Sequence, residues 1–251
     1  MSFLDLYSAV FYEPIYNLLV LLYDLIPGHD IGVAIIFLTV IVKAILWPLS
    51  ARALKSQKAL QDIQPKMEAL KKEYADKKEE LGKKMMELYS REKVNPASSC
   101  LPTLIQLPFF IAIYQAMGRG LSSDGFEKLY SWVPNPGTID PLAFGGLLDL
   151  SHPIVVLAVL AAVAQFFQAK MMITRPQPAV KGAEDEAVAS IVNKQMVYMM
   201  PVLTVIIGIK LPGGLMIYWL TMTVLTIVQQ RMFFGGRGKA GGQGPAATAV
   251  S

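Results

Sequence analysis

Apolar residues run along this chain in long blocks with short polar breaks, and one charged stretch separates the first block from the rest. Residues 31–49 form the first block, interrupted only by Thr39 and Lys43 and closed by Trp47-Pro48. Crossing a hydrocarbon core takes ~20 apolar residues, with a range of ~17–25, so this block predicts a transmembrane helix. Residues 96–118, 153–172, 196–210 and 212–232 predict four more. Only a short turn within Lys210–Gly214 separates the last two, which predicts a tight antiparallel pair. Residues 1–30 are also apolar, but Asp5, Glu13, Pro14 and Asp24 break them. That pattern predicts an interfacial amphipathic helix rather than a span.

Residues 50–95 follow a different rule. They hold twelve Lys/Arg and eight Asp/Glu, yet Leu60, Ile63, Met67, Leu70 and Tyr74 keep a 3-4-3-4 spacing, continued by Leu81, Met85 and Leu88. The spacing predicts helix. One straight helix rising ~1.5 Å per residue would be roughly 60 Å long, while both of its ends join spans at the same membrane face. A two-helix hairpin bending near Ala75–Glu80 satisfies both conditions. Residues 119–152 predict an outer loop in which Tyr130 and Trp132 suit a membrane interface. Residues 173–195 predict a polar loop and 233–251 a flexible Gly/Ala tail. The fold class expected is all-α: a polytopic membrane protein with five transmembrane helices, an N-terminal interfacial helix and a cytosolic helical hairpin.

Composition sharpens this only in part. The chain is 53% hydrophobic, modestly above the ~45–50% of soluble domains, and it is the segregation of charge that indicates a bilayer. Charge also orients the spans. Residues 1–30 carry no Lys or Arg and the 119–152 loop carries two, against twelve in 50–95 and three in 173–195. Basic loops stay in the cytosol, so the N-terminus is expected outside and the C-terminus inside. A single cysteine, Cys100, excludes an internal disulfide framework. With no basic residue before Lys43, the N-terminus lacks the n-region of a signal peptide.

Lys43 is the charge that lies well inside a span. A lysine near the bilayer centre costs ~2.5–3.5 kcal/mol. Two readings stand open. Its stem can snorkel across the six residues, roughly 9 Å, to the cytosolic end of the block. Alternatively it points into a hydrated cavity. Thr39 lies four residues earlier on the same helix face. Gln106 and Gln115 interrupt the second span, Gln165 and Gln168 the third, and Thr221, Thr223 and Thr226 occur in the fifth. Each alone reads as an interhelical hydrogen bond; the set, beside a lysine, favours a wet interior.

No Asp or Glu falls inside a predicted span. That argues against a proton-coupled transporter, which needs an intramembrane carboxylate. There is no HExxH helix and no phosphate-cradling Gly-rich loop. Catalytic residues, metal ligands and cofactors are therefore not expected, and neither is enzymatic activity. The apolar run 197–209, at ~20 Å, is short against a ~30 Å hydrocarbon core and would thin the bilayer locally.

Five motifs in order carry a resemblance. They are Ile41-Val42-Lys43-Ala44-Ile45-Leu46-Trp47-Pro48-Leu49; Lys93-Val94-Asn95-Pro96 with Cys100-Leu101-Pro102 and Leu104-Ile105-Gln106-Leu107-Pro108; Met199-Met200-Pro201-Val202; Leu211-Pro212-Gly213-Gly214-Leu215 through Tyr218; and Thr226-Ile227-Val228-Gln229-Gln230. From about Phe11 to Arg231 the chain resembles the YidC/Oxa/Alb insertases. The resemblance implies a five-helix core with a groove open to lipid and cytosol, where a basic residue attracts acidic segments of substrates. Lys43 takes that position, usually Arg in bacterial members; it keeps the charge but not the bidentate fork. Thr39 and Pro108 match positions that contact substrate, Trp219 matches a groove-lining aromatic, and Gln106, Gln165 and Gln168 complete the expected groove. The implied function is insertion of nascent membrane proteins into the bilayer at a bacterial cytoplasmic (inner) membrane. Implied partners are those nascent chains and the lipid, with the ribosome, targeting factors and the Sec translocon as further candidates. The hairpin, with net charge +4 over 50–95, is a surface for such factors or for anionic lipid. The competing classes are a small transporter or channel, which needs a path through both faces, and a scaffold or chaperone for other membrane proteins.

Overall fold

A computed structural model describes residues 3–74, 77–95, 101–120, 125–172 and 197–234. The described residues are overwhelmingly helical. The N-terminal rod comprises α1 (Phe3–Tyr7), a π-helical turn (Ser8–Tyr12) and α2 (Glu13–Leu25). Helix α3 (Ile31–Ile45) is followed by α4 (Trp47–Asp62), α5 (Gln64–Glu73) and α6 (Lys78–Arg91). The remaining helices are α7 (Leu101–Gly120), α8 (Val155–Met172), α9 (Val197–Gly208) and α10 (Gly213–Phe234).

Helix α10 is the central member, packed against α8 and α3, while α2 packs against α3 and α7. Buried positions on α3 recur as Ile31, Ala34, Ile35, Leu38, Thr39, Val42 and Lys43, the 3-4 rhythm of one helix face. Phe37, Val40 and Ile45 on the opposite face are exposed and apolar, as lipid contact requires. The helices approach closely through small residues. A Cβ on Gly208 would lie 2.7 Å from Ala158 Cβ, and one on Gly214 would lie 2.5 Å from Met117 Sδ.

Several sequence expectations shift. Residues 1–30 were expected to form an interfacial helix too interrupted to span, but Leu4–Leu25 is one helix of 22 residues, long and apolar enough by length and composition to cross a membrane. Pro14 does not break it because it sits in the first turn of α2, just after the π turn, where the hydrogen-bond pattern already changes. One face of this helix, with Tyr12, Ile15, Tyr16, Leu19, Val20 and Tyr23, is buried in the core. The block 31–49 is not a single helix: α3 stops at Ile45, and α4 leaves at a bend of 66° with Pro48 in its first turn. The described residues of segment 50–95 lie in three helices where two were expected. The extra break, at Ile63, precedes Pro65 in the first turn of α5. Helices α5 and α6 pack on each other, with Tyr89 Oη donating to Met67 Sδ at 3.7 Å and Lys66 Nζ pairing with Glu92 Oε1 at 2.8 Å. The expected loop 173–195, the tail from residue 235 onward and the Pro96–Cys100 part of the second motif lie outside the described residues.

The loop expected to face outward, described from residue 125 to 154, is built rather than slack. Leu142–Ala143 and Leu148–Asp149 form a short antiparallel pair, β1 and β2. Asp30 caps α3 through Val33 N–H at 3.0 Å and also accepts from the backbone N–H of Phe144 and Gly145. Buried Asn17 donates to the carbonyls of Glu13 (2.8 Å) and Lys128 (2.9 Å) and accepts from Tyr130 N–H at 2.6 Å. At the start of α10, the N–H groups of Gly213 and Gly214 donate to His152 and Leu150 carbonyls. The loop thereby satisfies the orphan donors of a helix N-terminus. Fully buried Ile35, Leu38, Ile113, Leu215 and Met216 fill the bundle beneath it.

Candidate functional site

A cavity of about 490 Å³ occupies the half of the bundle away from the outer loop. Four helices of the bundle and α4 build it. Lys43 comes from the last turn of α3, Gln106 and Phe110 from the first half of α7, and Gln165 and Gln168 from the last half of α8. Trp219, Thr223, Thr226 and Gln230 come from α10. The α4 residues Leu49, Ser50, Ala53, Leu54 and Gln57 close one side.

Lys43 belongs to the buried face of α3 for the reason its spacing states: it continues Ile35 and Thr39 at intervals of four. It is only 7% exposed. Its Nζ donates to Thr226 Oγ1 at 2.9 Å, and Thr226 in turn donates to the Met222 carbonyl at 2.8 Å. The hydroxyl proton is thus committed to its own helix, which turns an oxygen lone pair toward the ammonium. Among the described residues no carboxylate pairs with Lys43. One hydroxyl leaves two of the three ammonium donors for water or an incoming anion.

The polar lining is partly satisfied. Gln165 Oε1 accepts from Thr204 of α9, and Ser50 and Gln229 hydrogen-bond each other across α4 and α10 at 2.8 Å. Gln106 Nε2, Tyr218 Oη and Gln230 Oε1 are buried without a hydrogen-bond partner among the described residues, and all three residues line the cavity. Leaving such a group unpaired costs ~1–3 kcal/mol, and each marks a place where hydration or a ligand lowers the energy. Trp219 meets Phe110 edge-on at a centroid distance of 5.4 Å, which gives the cavity an aromatic wall.

Of the seven residues selected from sequence, the structure brings together Lys43, Gln106, Gln165, Gln168 and Trp219 around the cavity. Two do not line it. Thr39 is fully buried and spends its hydroxyl on the Ile35 carbonyl at 2.6 Å, one turn back. Pro108 lies within α7, and its carbonyl accepts from Tyr7 Oη at 3.2 Å, so it is tied to the N-terminal helix. Sequence reasoning grouped Thr226 with other threonines and did not single it out as the lysine's partner. Gln229 and Gln230 were quoted in a motif but not selected; two consecutive buried glutamines near the end of an apolar helix were the available signal. The α4 wall was missed because residues 50–57 were assigned wholly to the soluble hairpin.

Comparisons with known proteins follow the same outline. The family model described as 60Kd inner membrane protein matches residues 21–237. A membrane protein insertase YidC from Pelobacter propionicus is 37% identical over 199 residues, covering 79% of this chain and 34% of that protein. One from Fusobacterium nucleatum is 33% identical over 201 residues, covering 80% of this chain and 84% of that protein. The chain therefore spans about a third of the first relative and most of the second. A solved structure, the active YidC insertase crystal structure with the first transmembrane domain resolved, superimposes with a TM-score of 0.54 at 27% identity. That superposition covers 91% of this chain and 46% of the solved one.

Proposed function

Because the chain belongs to the 60Kd inner membrane protein family, whose relatives above bear the name membrane protein insertase, we propose that it inserts nascent membrane proteins into the bilayer of a bacterial inner membrane. The observation that carries this reading is a buried lysine in a largely apolar cavity whose wall also carries glutamine and threonine side chains, with polar atoms among the described residues left unpartnered. A hydrophilic client segment crossing a membrane has to exchange water for other polar contacts, because each unpaired group costs several kcal/mol in hydrocarbon. The cavity offers those contacts part-way across. Lys43 adds attraction for acidic segments, held ready by Thr226. The work is done by environment: differential solvation, with no covalent step.

The cavity lies at the ends of α3, α8 and α10 that adjoin the basic segments, and the outer loop covers the opposite end. With basic segments on the cytosolic side, the N-terminus is outside and the C-terminus inside; α3, α7, α8, α9 and α10 are the five membrane helices, and Leu4–Leu25, which carries Asp5, Glu13 and Asp24, stays the interfacial helix. The clients are nascent chains, and the α5–α6 hairpin is the surface for ribosome, targeting factors or Sec translocon. Reconstitution into liposomes with a small client bearing an acidic outer tail tests the reading. Lys43→Ala and Lys43→Glu are expected to slow insertion of acidic-tailed clients by about tenfold or more, consistent with one desolvated charge contact, while Lys43→Arg retains most activity. Wild-type rates for Lys43→Ala on acidic tails would overturn the charge-attraction role.

A further inference from the structure

Helix α4 has two faces, and the proposed function uses only one. Leu49, Ser50, Ala53, Leu54 and Gln57, preceded by Leu46, line the cavity. Their spacing marks a single stripe down the helix. At 100° per residue, Arg52, Lys55 and Lys58 fall on the opposite side as a row spaced by three. The helix carries no acidic residue before Asp62, its last. Arg52 and Lys55 are exposed and, among the described residues, pair with no carboxylate. Lys55 stands over the Phe233 ring at 6.0 Å, beside the end of α10. The bend of 66° after α3 turns α4 far from the direction of that span. If α3 runs near the membrane normal, α4 lies close to the membrane plane, at the depth of the headgroups. A solvated surface helix would alternate both signs of charge, as α6 does with Glu79, Glu80, Lys83, Lys84 and Glu87. Helix α4 does not.

We propose that the Arg52–Lys55 row docks α4 onto the phosphates of anionic phospholipid in the leaflet beside it, and that this docking seats the opposite face of α4 as the wall of the Lys43 cavity. The proposal rests on reading α3 as a span; it does not depend on which client the cavity takes. The chemistry is general: basic residues next to an anionic leaflet gain attraction from its surface potential, and salt weakens it within a Debye length. On the protein side α4 is held by the Ser50–Gln229 pair and by its buried Ala53 and Leu54, and docking onto lipid adds to these contacts.

The test reads α4 directly and uses no client. In the full chain with Cys100→Ser, an environment-sensitive fluorophore is attached at Ala59→Cys, on the basic side of α4. The protein is reconstituted in vesicles of phosphatidylcholine alone or with a third of phosphatidylglycerol, each carrying a trace of headgroup-attached quencher. Quenching is expected to rise with phosphatidylglycerol, to fall in high salt, and to lose its lipid dependence in the Arg52→Gln, Lys55→Gln double variant. The docking constant should weaken by about fivefold per charge removed. Lys83→Gln, Lys84→Gln on α6 serves as the matched control and should behave as wild type. Equal quenching in both vesicle types, or an unchanged double variant, would overturn the proposal. Failure of the Lys43 insertion assay with intact lipid-dependent quenching would sink the functional reading alone.

Discussion

At the scale of single residues, the chemistry narrows to one ammonium and the hydroxyl that orients it. Thr226 donates to Met222 and accepts from Lys43. Thr226→Val keeps shape and removes both bonds, whereas Thr226→Ser keeps them. A hydrogen bond to a charged group is worth ~1.5–3 kcal/mol. Insertion of acidic-tailed clients is therefore expected to fall about tenfold or more in Thr226→Val, with neutral-tailed clients little changed and Thr226→Ser near wild type. Matched rates for the two tail types in the valine variant would show that the hydroxyl serves packing only. The sequence made Lys43 visible because a charge in an apolar run is costly and stands out. Thr226 was hidden because threonine is common in membrane helices and its partner is 183 positions away. Thr39 lies on the inner face as its spacing predicts, and its hydroxyl is taken by its own helix, which a sequence pattern does not reveal.

At the scale of elements, hydropathy located the apolar helices and proline decided their ends. Pro48 and Pro65 each open a new helix where the apolar rhythm ran on, and Pro14 fails to break one because it falls at a helical first turn. These outcomes depend on hydrogen-bond patterns that a periodicity does not encode. The helix contacts were less legible still, since they depend on which small residue faces which. Gly208 is the sharpest case: its missing Cβ would sit 2.7 Å from Ala158 Cβ and 2.8 Å from Met216 Sδ. The methionine can move, but the alanine on the α8 backbone cannot without shifting the helix. Gly208→Val is expected to destabilise the bundle by ~1–3 kcal/mol, in line with overpacking elsewhere, and to lower the thermal midpoint in detergent. Gly82→Val, on α6 with open space around it, is the contrasting control, expected to leave that midpoint in place.

At the scale of the whole molecule, two parts are stabilised by different physics. The bundle is held by close apolar packing and a polar outer clasp, and the α5–α6 pair stands apart, with its own contacts. The Lys66 hydrogen bond holds the Glu92 carboxyl below its ordinary carboxylate range. A depressed acid stabilises the folded pair above the unfolded value and loses that contribution as pH falls through the folded one. Acidification below the ordinary carboxylate range should therefore loosen α5 from α6, and high salt should do so more weakly, since the pair is largely solvated. Spin labels on the two helices should report the separation, while the α3–α10 distance stays fixed. Simultaneous loss of both distances would show that the hairpin and bundle are one cooperative unit. The division into apolar bundle and charged appendage was the most legible feature of the sequence, because a bilayer sorts residues by solvation more strictly than any soluble core does.

The dry packing of Ile35, Leu38, Ile113, Leu215 and Met216 under the clasped outer loop has a further consequence. A recess closed at one end by packed side chains is a cul-de-sac for ions as well as for peptides. Water could fill it without short-circuiting the voltage that a bacterium maintains across the same membrane. On the proposed function, such a device has no need of the moving plug that a through-pore must open and shut for each passenger.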